Sequence, residues 1–461
     1  MKIQVPPLIA SNQPGAYLVG GSVRDIIRGQ TPVDYDIAVS SDPGAFAEQI
    51  AKESGGRVVV LGKDRFTVYR VASPQGNIDI TTYKGQDIRQ DLLARDFTIN
   101  ALACSLAEHH IVDVTSGLAD LHQAVVRMIR PEAFQDDPAR LVRAFRMAAV
   151  LKFRIEPETI RAIRANAGLL GQTAGERIWT EFIRILACPD SQPHLRMMAE
   201  TEVLSAILPE LADHQRGLQD GLHTIDNLDH CLQAIHALER MLHKPEAFLP
   251  RGPVRFIESL GKESRALLKM SLLIHDIGKP ACRRINADGQ IQFHGYAARG
   301  AELTQSIGRR LRMSNRQREW IASLVRRHQR PNFLFLAKRS DQNPPPRAVG
   351  RFFRQCGQQS PHLLILAMAE TMGHSAPAAS NKQGFFDFLS DILSTYCEKN
   401  LDLGLLPILK GKDLIEHFEL QPSPLLGTLL RRLEELQLAG AIINRQQALE
   451  WVAQQLKSTI R

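Results

Sequence analysis

Asp34-Tyr35-Asp36-Ile37-Ala38-Val39 alternates with the two-residue period of a β-strand, placing Tyr35, Ile37 and Val39 on one face and the Asp34 and Asp36 carboxylates on the other. Two like charges on one strand face repel. That cost is offset where a divalent cation sits between them, because hard oxygen ligands are what magnesium takes. A second alternating stretch, Asn77-Ile78-Asp79-Ile80-Thr81, offers Asp79 on its polar face as a third carboxylate. Upstream, Leu18-Val19-Gly20-Gly21-Ser22-Val23-Arg24-Asp25 reads as a Gly-Gly turn feeding a helix, whose free backbone amides suit a polyphosphate. Each feature alone is ordinary; their order and spacing together are not.

Working outward, Asp34–Ser40, Arg57–Leu61, Thr67–Ala72 and Asn77–Tyr83 read as strands interleaved with helical stretches. From about residue 126 the pattern is almost entirely helical, punctuated by Pro131, Pro157, Pro189, Pro193, Pro209, Pro250 and Pro253, with a Pro344–Pro346 loop. The prediction is an α+β chain: a small α/β head followed by a long helical body.

The 461 residues are 44% hydrophobic and 23% charged, as for a soluble globular protein of about three domains. No run of 18 apolar residues occurs and the first residues lack a signal sequence, so a cytoplasmic protein without a membrane span is expected. Six scattered cysteines without a Cys-x-x-Cys pair argue against a disulfide framework or a thiolate zinc knuckle. Lys plus Arg (57) exceed Asp plus Glu (49), and Glu302–Arg354 alone holds thirteen basic residues against three acids, more than the whole chain's surplus. A polyanion is one expected partner for that segment; a solvated helix face is the other reading.

The Leu18–Asp25 and Asp34–Asp36 motifs are followed by Arg95-Asp96-Phe97-Thr98-Ile99-Asn100-Ala101-Leu102 and by Asp136-Asp137-Pro138-Ala139-Arg140. In this order the four motifs resemble those of the bacterial class II nucleotidyltransferases, which comprise the tRNA CCA-adding enzymes, their CC-adding and A-adding relatives, and bacterial poly(A) polymerases. The resemblance implies a polymerase-β-like head, with Asp34 and Asp36 holding two magnesium ions and Asp79 as the third catalytic acid. It implies nucleotide contacts from Gly20, Gly21, Arg24, Arg95, Asp96 and Asn100, with Asp96 suited to accept from a ribose hydroxyl. Where the family usually has a second arginine before that pair, this chain has Ala94.

Asp137 and Arg140 are three residues apart on one expected helix face, an acceptor beside a donor. Adenine and cytosine each present an amine beside a bare ring nitrogen, so such a pair complements A and C and mismatches G and U. By resemblance this is the base-reading pair, supported by Asp136 where the family usually has glutamate. Arg143 and Arg146 continue the helix, either toward phosphate or into solvent. Asp113-Val114-Thr115-Ser116-Gly117 with Asp120, and Glu176-Arg177-Ile178-Trp179-Thr180-Glu181, match two further motifs and read as architectural.

Further on, His275-Asp276-Ile277-Gly278-Lys279 ends the apolar run Leu267–Ile274. With His230 upstream and Ala369-Glu370-Thr371-Met372-Gly373-His374 downstream, the stretch resembles an HD-type metal phosphohydrolase domain, which implies His230, His275, Asp276 and Glu370 as ligands of a second divalent metal. Glu370 stands where that family has aspartate, and Tyr296 where a histidine usually sits. In the tail, Pro407–Leu414 and Pro422–Leu430 resemble the arm that follows this domain in tRNA nucleotidyltransferases, and Leu425, Leu429, Leu433 and Leu436 recur at helical spacing.

The expected organisation is a nucleotidyltransferase head (1–128), a helical neck and body (129–215), a helical HD domain (216–380) and a helical C-terminal arm (381–461). The expected function is template-independent addition of C and/or A to the 3′ end of tRNA from CTP and ATP, with release of pyrophosphate. The alternatives are a poly(A) polymerase and a metal phosphohydrolase acting on RNA ends.

Overall fold

The structure is a computed structural model that describes residues 9, 13–40, 42–62, 67–74, 76–211, 227–337, 344–373, 379–398 and 407–459. Lys338, Arg339 and Asp341 of the basic segment, and His374, lie outside the described residues. The chain divides into two compact units: unit 1, residues 1–185 and 197–207, and unit 2, residues 186–196 and 208–461.

Unit 1 is built on a seven-stranded sheet of β1 (Ala16–Val19), β2 (Asp34–Val39), β3 (Arg57–Leu61), β4 (Val68–Ser73), β5 (Gly76–Thr82), β6 (Leu102–Ser105) and β7 (Ile111–Asp113), in the order β3-β4-β5-β2-β1-β6-β7. Only β2 and β5 run parallel, and they do so in a register that sets Asp36 beside Asp79 and Asp34 beside Asn77. The four strands expected from alternation are present to within a residue or two. Strands β1, β6 and β7 escape that reading; Leu102–Ser105 is buried at every position, and a strand covered on both faces has no period-two signal.

On β2, Tyr35, Ile37 and Val39 are buried and Asp34 and Asp36 exposed, as alternation requires. At Ala38 the polar face ends. Helix α3 (Ile88–Leu93) follows α1 (Gly21–Ile27) and α2 (Pro43–Ser54), and its Ile88 and Leu92 pack with Ala38, Val19, Ala101 and Ala103. The acids therefore stand at the open end of an otherwise roofed sheet face. Helices α4 (Ala139–Leu151) and α5 (Gly175–Leu186) complete the frame of the site.

Unit 2 is helical. Its α6 (Asn227–His243), α7 (Lys262–Ile274), α8 (Tyr296–Arg310), α9 (Asn315–Arg327), α10 (Pro346–Cys356) and α11 (Ser360–Gly373) precede the arm helices α12 (Gly411–Phe418), α13 (Pro424–Leu438) and α14 (Arg445–Thr459). Lys269 is fully buried: its Nζ donates to Glu239 Oε1 at 2.7 Å and to the carbonyls of Cys188 and Pro189, while Glu239 also accepts from the amide and hydroxyl of Ser191. The pair ties 186–196 to the helices of unit 2.

In the arm, the buried face of α13 runs through Leu426, Leu429 and Leu433 and packs with Leu414, Ile442, Ala448 and Val452. The expected phase, with Leu425 inside, is corrected: Leu425 is exposed, because spacings of three and four from Leu426 keep one stripe on the core. Helices α10 and α13 touch backbone to backbone at Gly350, where a Cβ would fall 1.6 Å from the Glu435 carbonyl oxygen. Beside that contact the buried Glu435 carboxylate accepts from Arg347 (3.2 Å) and Arg354 (3.0 Å), with Arg351 at 3.9 Å.

Candidate active site

The acidic strand is pinned by a residue of the Gly-Gly turn. Ser22 is buried; its hydroxyl donates to the Asp34 carbonyl and accepts from the Asp36 amide, both at 3.1 Å, so turn and strand move as one. Gly20 has φ +70°, and a Cβ there would meet Arg95 Nη1 at 2.8 Å, so glycine is required on both counts. Together with Gly21, Arg24, Asp34, Asp36, Arg95, Asp96, Asn100, Arg140 and Arg143 it lines a cleft of about 550 Å³, within the ordinary size of ligand pockets. Sequence reasoning did not single out Arg146 and Arg184, which line it too.

The carboxylates differ in what holds them. Asp79 is clamped by Arg70, with Nε and Nη2 each 2.7 Å from one carboxylate oxygen. Asp34 accepts one bond, from Asn77 Nδ2 at 3.1 Å. Asp36 remains open to solvent within a ring of protein atoms. Desolvation by those neighbours, reinforced by the Asp79 and Asp34 charges and only partly offset by Arg95, raises its pKa to about 6. This patch is short of positive charge and presents only oxygen donors, so the residues present fit magnesium. The geometry leaves Asp34 and Asp36 available as ligands and sets Asp79 behind them as an ion-paired charge.

The other sequence-predicted residues form a continuous network along the cleft. Arg24 donates to Asn100 Oδ1 at 2.6 Å, Asn100 donates to Asp96 at 3.0 Å, and Arg143 donates to Asp96 at 3.1 Å and to Glu181 at 2.9 Å; Arg146 also pairs with Glu181. Burial opposes the ionised form of Asp96, yet the Arg143 charge and the Asn100 bond outweigh it and hold the carboxyl below its usual range. Asp96 also accepts the Phe97 amide at 2.8 Å, so part of its capacity is structural. Arg143 and Arg146 are not solvated; they are bridged by one glutamate on α5.

At the expected base-reading pair, Asp137 stands just ahead of α4 in extended conformation and accepts the Ala139 amide at 3.2 Å. Arg177 Nη2 donates to its second oxygen at 2.7 Å. Asp137 and Arg140 face one another at 4.0 Å, while the Arg140 guanidinium donates to the carbonyls of Ala94, Arg95 and Ala133. Asp136, expected to support Arg140, pairs with Arg130 instead. Its short side chain faces away, and backbone carbonyls carry Arg140 in its place. Arg140 Nε is buried without a hydrogen-bond partner, leaving a donor to spare. The Asp113 carboxylate accepts the amides of Thr115, Gly117 and Leu118, an Asp-capped turn.

Unit 2 holds a separate cluster. One ligand atom each of His230, His275 and Glu370 lies within 4.8 Å of the others. Asp276, the fourth residue expected there, is engaged on one oxygen by Lys279 Nζ at 2.5 Å, and its Oδ1 is buried without a hydrogen bond. Burial disfavours a charged His275, but the Asp276, Cys231 and Glu370 groups overcome it and raise the imidazole to about 10. This pocket, like the first, draws positive charge.

Comparison with known proteins agrees with both the fold and the motifs. Residues 16–127 match the "Poly A polymerase head domain" family, residues 152–215 the "Probable RNA and SrmB- binding site of polymerase A", and residues 406–453 the tRNA nucleotidyltransferase domain 2. The chain is 31% identical to an A-adding tRNA nucleotidyltransferase of Deinococcus radiodurans over 97% of its length and 96% of that protein's. It is 28% identical to a CC-adding tRNA nucleotidyltransferase of a Synechocystis species over 99% and 98%. The Thermotoga maritima CCA-adding enzyme, solved in complex with tRNA, superposes with a TM-score of 0.64 at 21% identity, covering 96% of this chain and 91% of that one. The head is therefore polymerase-β-like and the remainder the helical body of these enzymes. Among the described residues no helix is long and apolar enough to cross a membrane. With a Deinococcus relative aligned from end to end and the acidic strand, Gly-Gly turn and arginine cleft in one fold, this chain belongs to the tRNA nucleotidyltransferase family.

Proposed function

We propose that the chain adds C and/or A to the 3′ end of tRNA, without a template, from CTP and ATP. The observation that carries this is the pair of open carboxylates, Asp34 and Asp36, at the mouth of a cleft walled by six arginines. The 3′-hydroxyl oxygen of the primer attacks the α-phosphorus in line, the bond from that phosphorus to the β-phosphate oxygen breaks, and pyrophosphate leaves. Magnesium held by Asp34 and Asp36 would supply the charge that lowers the hydroxyl pKa and neutralises the leaving group. The chain's own part is orientation. Ser22 fixes the acidic strand, Arg24, Arg143 and Arg146 present donors to the triphosphate and sugar, and Asp96 offers its remaining lone pairs to a ribose hydroxyl. Asp137 and Arg140 offer an acceptor and a donor to the Watson–Crick edge of cytosine or adenine. Family members solved with CTP and with ATP support the nucleotide assignment.

Asp34→Ala or Asp36→Ala should lower incorporation by three orders of magnitude or more while tRNA retention on a filter is unchanged. A variant that keeps its activity would overturn the metal assignment. In unit 2, His230, His275 and Glu370 support a second divalent-metal centre apart from the transferase cleft.

A further inference from the structure

We propose that the unit-2 centre takes a single transition-metal ion of the zinc class, and that Tyr296 occupies the place a second ion would need. This rests on the reading of that cluster as a metal centre. Two imidazoles and one carboxylate are the donor set of borderline metals rather than of magnesium, which takes oxygen alone. The three ligand atoms lie within 4.8 Å of one another, a spread that small rotamer adjustments bring onto one ion with bonds of about 2.0–2.2 Å. His275 is already oriented for it. Its Nδ1–H donates to the Leu272 carbonyl at 2.8 Å, which leaves the lone pair on Nε2, and that nitrogen is fully buried with no hydrogen-bond partner. Three protein donors leave a coordination position for water or a ligand.

A second ion would need further donors, and those nearby are committed. His328 donates Nδ1–H to the Val325 carbonyl at 2.7 Å, so its free lone pair is on Nε2, where the Tyr296 hydroxyl donates at 2.8 Å. Asp276 Oδ2 is held by Lys279, whose ammonium lies 5.3 Å from the centroid of the Tyr296 ring and already places one positive charge on that side. Asp276 Oδ1 is the one remaining buried donor without a partner, enough to complete the first ion's shell and too little to build another.

The test is metal content. The full chain, stripped with chelator, is reloaded with Zn²⁺ or Co²⁺ under excess Mg²⁺ to occupy the head carboxylates, dialysed, and analysed by mass spectrometry and by the Co²⁺ visible absorption. The wild-type chain should hold about one transition-metal ion, His275→Ala and Glu370→Gln about none, and Asp34→Ala with Asp36→Ala still one. Tyr296→His, which frees His328 and adds an imidazole, should hold about two. Circular dichroism melts verify that each variant is folded. No bound metal in the wild type would remove the metal-centre reading itself. Two ions in the wild type would leave that reading standing and overturn the single-ion inference, and one ion in Tyr296→His would overturn the role given to Tyr296.

Discussion

Asp36 shows how one residue joins fold and chemistry. Its pKa is raised to about 6, so in the metal-free protein the ionised form is disfavoured by folding. For a carboxyl raised in the folded state, the associated stability is complete below the unfolded pKa of about 4 and is lost as pH rises through about 6. Asp36→Asn should therefore raise the metal-free melting temperature at pH 7.5 and leave it unchanged at pH 4; an equal shift at both would refute the assignment. Protons also compete with magnesium, so the apparent magnesium requirement should rise roughly tenfold per pH unit below about 6. Arg177 makes a second case. It was expected only to orient neighbours, and it holds an oxygen of Asp137 at 2.7 Å. Arg177→Ala should weaken discrimination of CTP and ATP over UTP by roughly tenfold, about 1.4 kcal/mol, with tRNA binding retained. Unchanged discrimination in competition assays would separate Asp137 from base choice. Such partners are invisible to local spacing because they come from another helix. Arg70 was within reach: Ser73-Pro74-Gln75-Gly76 is turn chemistry, and a hairpin turning there sets residue 70 opposite 79.

At the level of elements, legibility followed exposure. The β2 and β5 strands are covered on one face over the acids and so alternate, whereas β6 is covered on both and gave no period. The arm helices were legible in kind, but the phase of α13 was not, because Leu425 and Leu426 are adjacent and only packing decides between them. Two junctions have sharp energetic consequences. Glu239→Ala would leave the Lys269 ammonium buried with carbonyls and a hydroxyl alone, a loss of about 3–5 kcal/mol visible in denaturant melts. A loss under 1 kcal/mol would show that water reaches that site. Gly350→Val must drive α10 and α13 apart, and the arm should become the first segment cut by protease; an unaltered digestion pattern would contradict the close packing.

Across the whole molecule, the surplus of eight positive charges and the basic segment pointed to a polyanionic partner. The structure redistributes that charge. Arg347, Arg351 and Arg354 surround Glu435, and Arg310 pairs with Glu210, so part of the segment serves the fold. Replacing Arg347 or Arg354 with glutamine should leave the salt dependence of tRNA binding unchanged. Loss of a phosphate contact would instead lower the log–log slope by about one. The central claim concerns the reaction. Purified chain, magnesium and tRNA primers lacking one, two or three terminal nucleotides, each with one labelled nucleoside triphosphate at a time, test it directly. The account predicts incorporation from CTP, ATP or both, none from GTP or UTP, and a halt once the terminus is complete. Long adenylate tails on any RNA, or no incorporation on all three primers, would contradict it.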